Sequence, residues 1–174
     1  MIRAAIISLA LAAPATAETL RPFDMEDVPY GLFALQGGTF HGQLSNMETP
    51  FRSMIFFSCI DCAVRADALV GLAADRRDEG SAAQADPDGF AALQLRICEA
   101  SDMTECSARA ERHAGLQGYG VDAKLGGRWL IEEVYFADGL QFVINASDPE
   151  KDIARANVDT LRDAVAPYVT GAAP

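Results

Sequence analysis

The sequence contains four cysteines, and their spacing sets the first question about its chemistry. Cys59 and Cys62 form a C-x-x-C motif, and Cys98 and Cys106 lie further along the chain. In an exported protein, four cysteines predict two disulfides, and the sequence leaves three pairings open. Local pairing closes short loops worth about 2 to 3 kcal/mol each, and crossed pairing closes longer loops worth about 4 kcal/mol. Because local spacing brings the Cα atoms within about 7 Å, we favour Cys59 with Cys62 and Cys98 with Cys106.

A redox dithiol is the alternative interpretation of the C-x-x-C motif. An apolar run over 52–57 leads into it, and the apolar residues that follow have helical spacing: Val64, Ala68, Leu69 and Leu72. A strand that delivers C-x-x-C to a helix N-terminus is the thioredoxin-like arrangement, with Cys59 as the attacking thiolate and Cys62 as the resolving thiol. Asp61, between the two cysteines, opposes formation of that thiolate. No X-Pro follows at a suitable distance to face the motif.

Other chemistries have weaker support. A c-type haem requires histidine directly after the second cysteine, where Ala63 stands. In a zinc site built from the four cysteines, Cys59 and Cys62 would have the usual C-x-x-C spacing, but Cys98 and Cys106 are spaced C-x7-C. Oxidation to disulfides would also compete with zinc for the thiols. His41 and His113 are the two histidines, and neither lies in a nucleophile motif. The sequence therefore predicts no catalytic residue, no cofactor and no metal.

Acidic and aromatic residues of the last third are further candidate site residues. Glu132 and Glu133 are adjacent on a predicted strand and point to opposite faces, so they are not a working carboxylate pair. We expect one to be solvated and the other to meet Arg128 or Lys124. Four aromatic residues are expected to form the core face of the sheet and its edges, with an aromatic ligand groove as the alternative: Trp129, Tyr135, Phe136 and Phe142.

Residues 1–17 indicate export. Arg3 supplies a positive start, the apolar run over 4–13 is too short to span a membrane, and Ala15-Thr16-Ala17 is an A-x-A cleavage site. The sequence thus predicts a signal peptide over 1–17, a single exported α+β domain over 18–174, and a periplasmic location. No second long apolar run follows, so no membrane span is expected in the mature chain.

The charge of the chain limits its partners. It has 25 acidic and 14 basic residues, for a formal net charge of −11. Such a chain repels phosphate backbones and anionic lipid head groups, so nucleic acid and membrane surfaces are excluded as expected partners. Half of the residues are apolar, which indicates a globular protein. A protein partner or a small ligand remains open.

The first two thirds of the chain are predicted to contain both strands and helices. Strands are expected over 28–33, 38–44 and 52–57, a helix after Cys62, and a polar surface loop over 77–89. A strand is predicted for Phe90–Ile97, where apolar and polar residues alternate, and a short helix for Thr104–His113.

The last third predicts a meander and a helix. The strands Gly118–Leu125, Arg128–Phe136 and Leu140–Ala146 are joined by glycine-containing turns, which favour hairpins. Ser147-Asp148-Pro149-Glu150 has the form of a capping box with proline in the first turn. One apolar stripe then follows at helical spacing, namely Ala154, Val158, Leu161, Val165 and Tyr168. Pro167 and Gly171 are expected to end the helix.

The stretch from Trp129 to Tyr168 resembles the ending of the PsbP/Mog1-type α+β domains. The resemblance lies in the turn and strand Asp138-Gly139-Leu140-Gln141-Phe142 and in the polar turn Ser147-Asp148-Pro149-Glu150 before the long helix. It covers about a quarter of the chain and does not include the cysteine pairs. The resemblance implies an α+β fold and a non-enzymatic accessory role, and it transfers no catalytic residue.

Together these observations predict an α+β fold, an antiparallel sheet with a long C-terminal helix packed on one face, stapled by two disulfides. The predicted function is a periplasmic non-enzymatic binding or accessory protein. The alternative is a periplasmic thiol-disulfide oxidoreductase or redox carrier that uses the Cys59–Cys62 dithiol.

Overall fold

The computed structural model describes residues 28–46, 51–64, 66–74, 79–137 and 139–169. The predicted signal peptide and Gly171 lie outside these ranges. In chain order the elements are β1 (Leu32–Leu35), β2 (Gly38–Asn46), β3 (Phe51–Cys59), β4 (Asp67–Ala74), α1 (Glu79–Ala85), α2 (Pro87–Glu99), β5 (Thr104–His113), β6 (Leu116–Leu125), β7 (Arg128–Ala137), β8 (Leu140–Asp148) and α3 (Lys151–Val169). Within the described ranges, no helix is both long enough and apolar enough to cross a membrane.

The strands form one antiparallel sheet of eight, in the order β1-β2-β3-β4-β8-β7-β6-β5. Each half is a four-stranded meander, and the halves join where β4 pairs with β8, with Val70 opposite Ile144. Helix α3 packs on one face of the sheet, while α1 and α2 pack on the other. The predicted fold class, including the long C-terminal helix on one face, is confirmed.

The larger core lies between α3 and the sheet. The predicted helix stripe is buried, since Ala154, Val158 and Leu161 are each 0% exposed. It meets inward-facing strand residues that include Ile55, Val70, Ile131 and Ile144. Burying a large aliphatic side chain contributes about 1.5 to 3 kcal/mol, so this face carries much of the stability of the domain.

A smaller core lies on the opposite face, under α1 and α2. Phe90 of α2 meets Phe136 of β7 edge to face, with ring centroids 5.9 Å apart. Val134 and Val143 are buried in the same cluster. Strand β7 therefore supplies apolar side chains to both faces of the sheet in alternation, as the period of two residues in a strand requires.

The helix predicted after Cys62 is wrong, because residues 67–74 form the strand β4. This strand lies between β3 and β8 near the middle of the sheet. Ala68, Val70 and Ala73 are all buried, although Ala73 lies on the face opposite to the other two. A strand covered on both faces is apolar at nearly every position, so its pattern fits a helical period as easily as a strand.

The strand predicted for Phe90–Ile97 is also wrong, because this segment lies in α2. Its start signals lie just upstream: Asp86 is the N-cap, its carboxylate accepts a hydrogen bond from the backbone N–H of Gly89 at 3.0 Å, and Pro87 follows in the first turn. The polar segment predicted as a loop contains the short helix α1. These capping residues outweigh the apparent alternation of apolar residues.

The helix predicted for Thr104–His113 is wrong as well, because the segment is the edge strand β5. It pairs with β6 from Thr104 opposite Lys124 to His113 opposite Leu116, with a bulge between Thr104 and Ser107. Among the described strands β5 lies at the end of the sheet, and its side chains are partly or fully exposed, which agrees with its few large apolar residues. Its ladder with β6 decides the conformation.

Helix α3 begins and ends differently from the prediction. Asp148 accepts a hydrogen bond from the backbone N–H of Glu150 at 2.9 Å, whereas the Ser147 hydroxyl accepts one from Arg128 Nε at 3.1 Å, so the predicted capping box does not form. Pro167 lies inside the helix and does not end it, since α3 runs to Val169. Proline this close to the end of a helix removes a single backbone hydrogen bond, and the packing of Val165 and Ala166 keeps the last turn in place.

Candidate functional site

A cavity of about 170 Å³ lies between α2 and the strands β6 and β7. It opens on the face of the sheet that carries the smaller core. Helix α2 and the loop after it form one wall, and alternate residues of the two strands form the other. Its ten lining residues are Gln94, Ile97, Cys98, Ser101, Met103, Tyr119, Val121, Ala123, Leu130 and Glu132.

The neighbouring packing shows how this cavity is kept open. At one end, Phe90 of α2 meets Tyr119 of β6, with ring centroids 5.6 Å apart. At the other end, the disulfide between Cys98 and Cys106 joins the end of α2 to β5, with Cα atoms 6.1 Å apart. Between these two attachments the strand presents Ala123, whose side chain is too small to fill the space under the helix. The cavity of about 170 Å³ lies between these two attachments.

Among the described residues that line this pocket, Glu132 is the one with a formally charged side chain. Burial raises its pKa above the ordinary value for glutamate, and a hydrogen bond from Asn145, directly across on β8, offsets part of that rise. The pKa of the neighbouring Tyr119 is also raised, first by burial and then by the negative charges of Glu132 and Glu79. The pocket thus places an acidic group in mostly apolar surroundings.

The Cys98–Cys106 disulfide contributes directly to the pocket. Cys98 is buried and lines the cavity, whereas Cys106 is half-buried on the edge strand β5. Together with the other disulfide, it confirms the local pairing that the spacing favours. Since all four cysteines are bonded, their sulfurs are not free to act as zinc ligands.

The Cys59–Cys62 disulfide lies in the turn between β3 and β4, with Cα atoms 5.8 Å apart. The exposed carboxylate of Asp61 accepts hydrogen bonds from the backbone N–H of Thr39 at 2.5 Å and from its hydroxyl at 2.9 Å. These two bonds, the backbone one first, lower the pKa of Asp61. The turn packs tightly on β2, because a Cβ at Gly38 would lie 2.5 Å from Asp61 Oδ1.

This geometry differs from the thioredoxin-like arrangement. Residue 67 begins the strand β4, so Cys59 does not lie at a helix N-terminus that could lower its pKa. Asp61 Oδ1 lies only 3.9 Å from Cys59 Sγ, and its negative charge opposes a thiolate there. The helix on which the redox interpretation depended is absent from this described part of the chain.

An ionic network lies on the other face of the sheet, under α3. Glu133 is 1% exposed and binds Arg155 at 2.7 Å, Arg109 at 3.2 Å and Arg162 at 3.3 Å. The hydroxyl of Tyr135 donates a further hydrogen bond to Glu133 at 2.9 Å. The expectation that one of the adjacent glutamates would meet Arg128 or Lys124 is wrong. The other glutamate, Glu132, is half-buried at the pocket.

Asp122 of β6 is the second acid of this network. It binds Arg109 at 2.7 Å and Lys151 at 3.0 Å, and it also pairs with Arg155. Burial alone would raise the pKa of Asp122, but the hydrogen bonds from Arg109 and Lys151 outweigh burial and lower it. Because each acid is matched by cations from α3 or β5, the network fastens the helix to the sheet.

The two histidines and the four aromatic residues considered in the sequence analysis do not line the pocket. His41 is exposed on β2, and His113 lies at the end of β5, 3.7 Å from Asp163 on α3. The four aromatic residues are divided between the faces: Tyr135 and Phe142 belong to the larger core and Phe136 to the smaller one, while Trp129 lies under Lys151. They form no common groove, and the aromatic residue of the pocket is Tyr119.

Sequence analysis missed the pocket itself, although one signal for it was present. Leu130, Glu132, Val134 and Phe136 share one face of β7, and three of these four residues are apolar. An acidic residue in an otherwise apolar stripe indicates a buried polar site. The residues that α2 contributes could not be found in this way, because that segment was assigned to a strand.

No protein-family model matches the sequence, and a search of curated proteins gave no match. The fold and the pocket therefore define the class on their own: a disulfide-bonded α+β domain with a small, acid-containing apolar pocket between a helix and its sheet.

Proposed function

We propose that this protein is an exported, non-enzymatic binding protein that holds a small, mostly apolar molecule between α2 and the strands β6 and β7. The observation that carries the proposal is the cavity of about 170 Å³ with the Glu132 carboxyl inside it. Ligand sites are typically concave, mostly apolar, and equipped with a few polar groups that orient the ligand. This cavity has each of these properties.

The size of the cavity favours a compact ligand. An apolar cavity of about 150 Å³ accommodates benzene. A single ring with a short polar substituent therefore matches the space under α2. The apolar wall formed by Val121, Ala123 and Leu130 would cover the ring, and Glu132 would meet the substituent.

Export and a periplasmic location belong to the same proposal. They are supported by the predicted signal peptide over 1–17 and by two disulfides, which persist in oxidising compartments. The net charge of −11 favours uncharged or cationic ligands over anionic ones.

The proposal can be tested with 2-phenylethanol, a neutral molecule of suitable size. Titration followed by amide NMR is expected to shift resonances of residues that line the pocket, with saturation at millimolar or lower concentration. Val121→Phe should fill the cavity and abolish these shifts. Val64→Phe is the matched control, because Val64 is exposed in the turn after Cys62 and does not line the pocket.

Two results would contradict binding at this pocket. One is the absence of any saturable shift in the unchanged protein. The other is unchanged affinity in a Val121→Phe variant whose amide spectrum shows that it is folded. The Val64→Phe control is expected to keep the affinity of the unchanged protein.

A redox carrier is the second candidate, and one observation favours it. The Cys59–Cys62 disulfide lies in a surface turn whose neighbours Ile60 and Val64 are 61% and 54% exposed, which would suit contact with a partner protein. The carboxylate of Asp61 beside Cys59 argues against an easily reduced bond. The reduction potential of this bond separates the two candidates.

A further inference from the structure

We infer that the pocket under α2 selects a small apolar molecule that carries a primary ammonium group, with the Glu132 carboxylate as its counter-ion. The inference rests on the proposed binding function and specifies the ligand class. Three observations support it: the charge of the lining, the lack of an ion pair to Glu132 among the described residues, and the groups that surround this carboxyl.

The lining favours a cation. Of its ten described residues, Glu132 is an acid and none is basic. Glu79, a second acid, lies nearby on α1, where it accepts a hydrogen bond from Gln141 at 3.0 Å and adds its negative charge to the surroundings of Tyr119. An anionic ligand would be repelled at this site, and a neutral one would gain no charge pairing.

The adjacent Glu133 shows what a paired carboxylate looks like in this protein. It is surrounded by Arg109, Arg155 and Arg162. By contrast, the ion pairs found in the described part of the chain do not include Glu132, whose polar partner is the uncharged amide of Asn145. A buried carboxylate without a cation is costly, and an ammonium group from a ligand would compensate it.

The groups that face Glu132 set how binding should depend on pH. They are Tyr119 from β6, Asn145 from β8 and Gln94 from α2, with the carboxylate of Glu79 on α1 beyond Tyr119. Burial raises the pKa of Glu132, so its protonated, neutral form persists to higher pH than in an exposed glutamate. Affinity for an amine should therefore increase as pH rises through the pKa of Glu132, and affinity for an alcohol should not.

Three ligands provide the test: 2-phenylethylamine, 2-phenylethanol and phenylacetate. All three carry a phenyl ring on a short chain, and their polar groups are an ammonium, a hydroxyl and a carboxylate, respectively. Calorimetric titration of the purified protein at neutral pH is expected to give about tenfold tighter binding of the amine than of the alcohol, since charge-assisted hydrogen bonds are about twice as strong as neutral ones. Phenylacetate should bind most weakly. The preference for the amine should shrink as the pH is lowered.

Glu132→Gln should remove the preference for the amine over the alcohol, together with the pH dependence of that preference. Glu99→Gln is the matched control, because Glu99 is exposed at the end of α2 and does not line the pocket. It should keep the preference of the unchanged protein.

The outcomes separate this inference from the proposed function. If the alcohol binds in the pocket and the amine binds no more tightly, the ammonium inference is overturned and the binding function stands. If none of the three ligands binds, both are overturned. If Glu132→Gln retains the preference for the amine, or if the preference in the unchanged protein does not vary with pH, Glu132 is not the counter-ion and the inference fails.

Discussion

Glu132 and Glu133 are adjacent in β7, and their carboxylates lie on opposite faces of the sheet in opposite electrostatic surroundings. Glu133 is surrounded by three arginines under α3, whereas Glu132 lies in an apolar pocket under α2. The alternation of a strand separates them, and the helix that packs on each face decides what each one meets. One carboxylate fastens α3 to the sheet, and the other makes no ion pair among the described residues.

The Glu133 network should be essential for stability. Glu133→Gln removes the buried charge that the half-buried guanidinium groups of Arg155 and Arg162 share, so we expect a loss of about 3 kcal/mol in the free energy of unfolding. Urea denaturation measures this loss, provided that the slope of the unfolding free energy against urea concentration is the same in the variant and the unchanged protein. Glu105→Gln, which removes the exposed pair with Lys124, is the control and should cost less than about 1 kcal/mol. Equal losses in the two variants would show that the network does not stabilise the fold.

The stability of the folded protein should depend on the ionisation of Glu132. Burial raises the pKa of Glu132 in the folded protein above the value of 4.5 for the unfolded chain. The contribution of Glu132 to the free energy of unfolding is therefore fully present below the unfolded pKa and is lost as pH rises through the folded pKa. Glu132→Gln should therefore be more stable than the unchanged protein at about pH 8, and this difference should vanish near about pH 4.

Urea midpoints measured across this pH range test the sign of the effect. The Glu99→Gln control should show no comparable trend, because Glu99 is exposed. A stability difference for Glu132→Gln that is constant with pH, or that grows as pH falls, would contradict burial of an ionisable Glu132.

The two disulfides should differ in their effect on the pocket. Replacing Cys98 and Cys106 by alanine removes the link between α2 and β5, and the chain-entropy model gives a loss of about 2.5 kcal/mol. Affinity for 2-phenylethanol should fall as well, because Cys98 lines the cavity. Replacing Cys59 and Cys62 by alanine should cost about 2 kcal/mol and leave this affinity unchanged. Equal effects of the two double variants on affinity would exclude a specific role of Cys98 in the pocket.

The Cys59–Cys62 bond should behave as a structural disulfide. The Asp61 carboxylate beside Cys59 disfavours the thiolate, so we expect a reduction potential below about −300 mV. Asp61→Asn should raise this potential. Thiol trapping with an alkylating mass tag across a glutathione series would measure both, with the Cys98–Cys106 bond of the same molecule as reference. Opening of Cys59–Cys62 alone between about −120 and −270 mV would favour the redox carrier.

The sequence predicted best where the signals were local. The hairpins of β6, β7 and β8 followed from the alternation of their residues and from the turn glycines Gly126, Gly127 and Gly139, which all have positive φ. The stripe on α3 and the two short-range disulfides were predicted for the same reason. In each case the deciding residues lie within a few positions of one another.

Prediction failed where a distant partner decides the conformation. Residues 67–74 are a strand because β3 and β8 flank them, and residues 104–113 are a strand because β6 pairs with them. Asp86 and Pro87 mark the start of α2 locally, but the alternation of apolar and polar residues after Phe90 is equally compatible with a strand. Propensity and periodicity are weak where tertiary contacts supply most of the free energy.

The sequence by itself determined an acidic chain, an antiparallel meander that ends in an amphipathic helix, and the separation of Glu132 from Glu133 onto opposite faces. These follow from composition, from periodicity and from the alternation of a strand. Only the tertiary structure decided that α2 covers one face and α3 the other, and therefore that Glu133 meets Arg109, Arg155 and Arg162 while Glu132 meets none of them. The cause is physical: the environment of a carboxylate depends on elements that are distant in the chain, and their placement follows from the burial of their apolar faces as a whole.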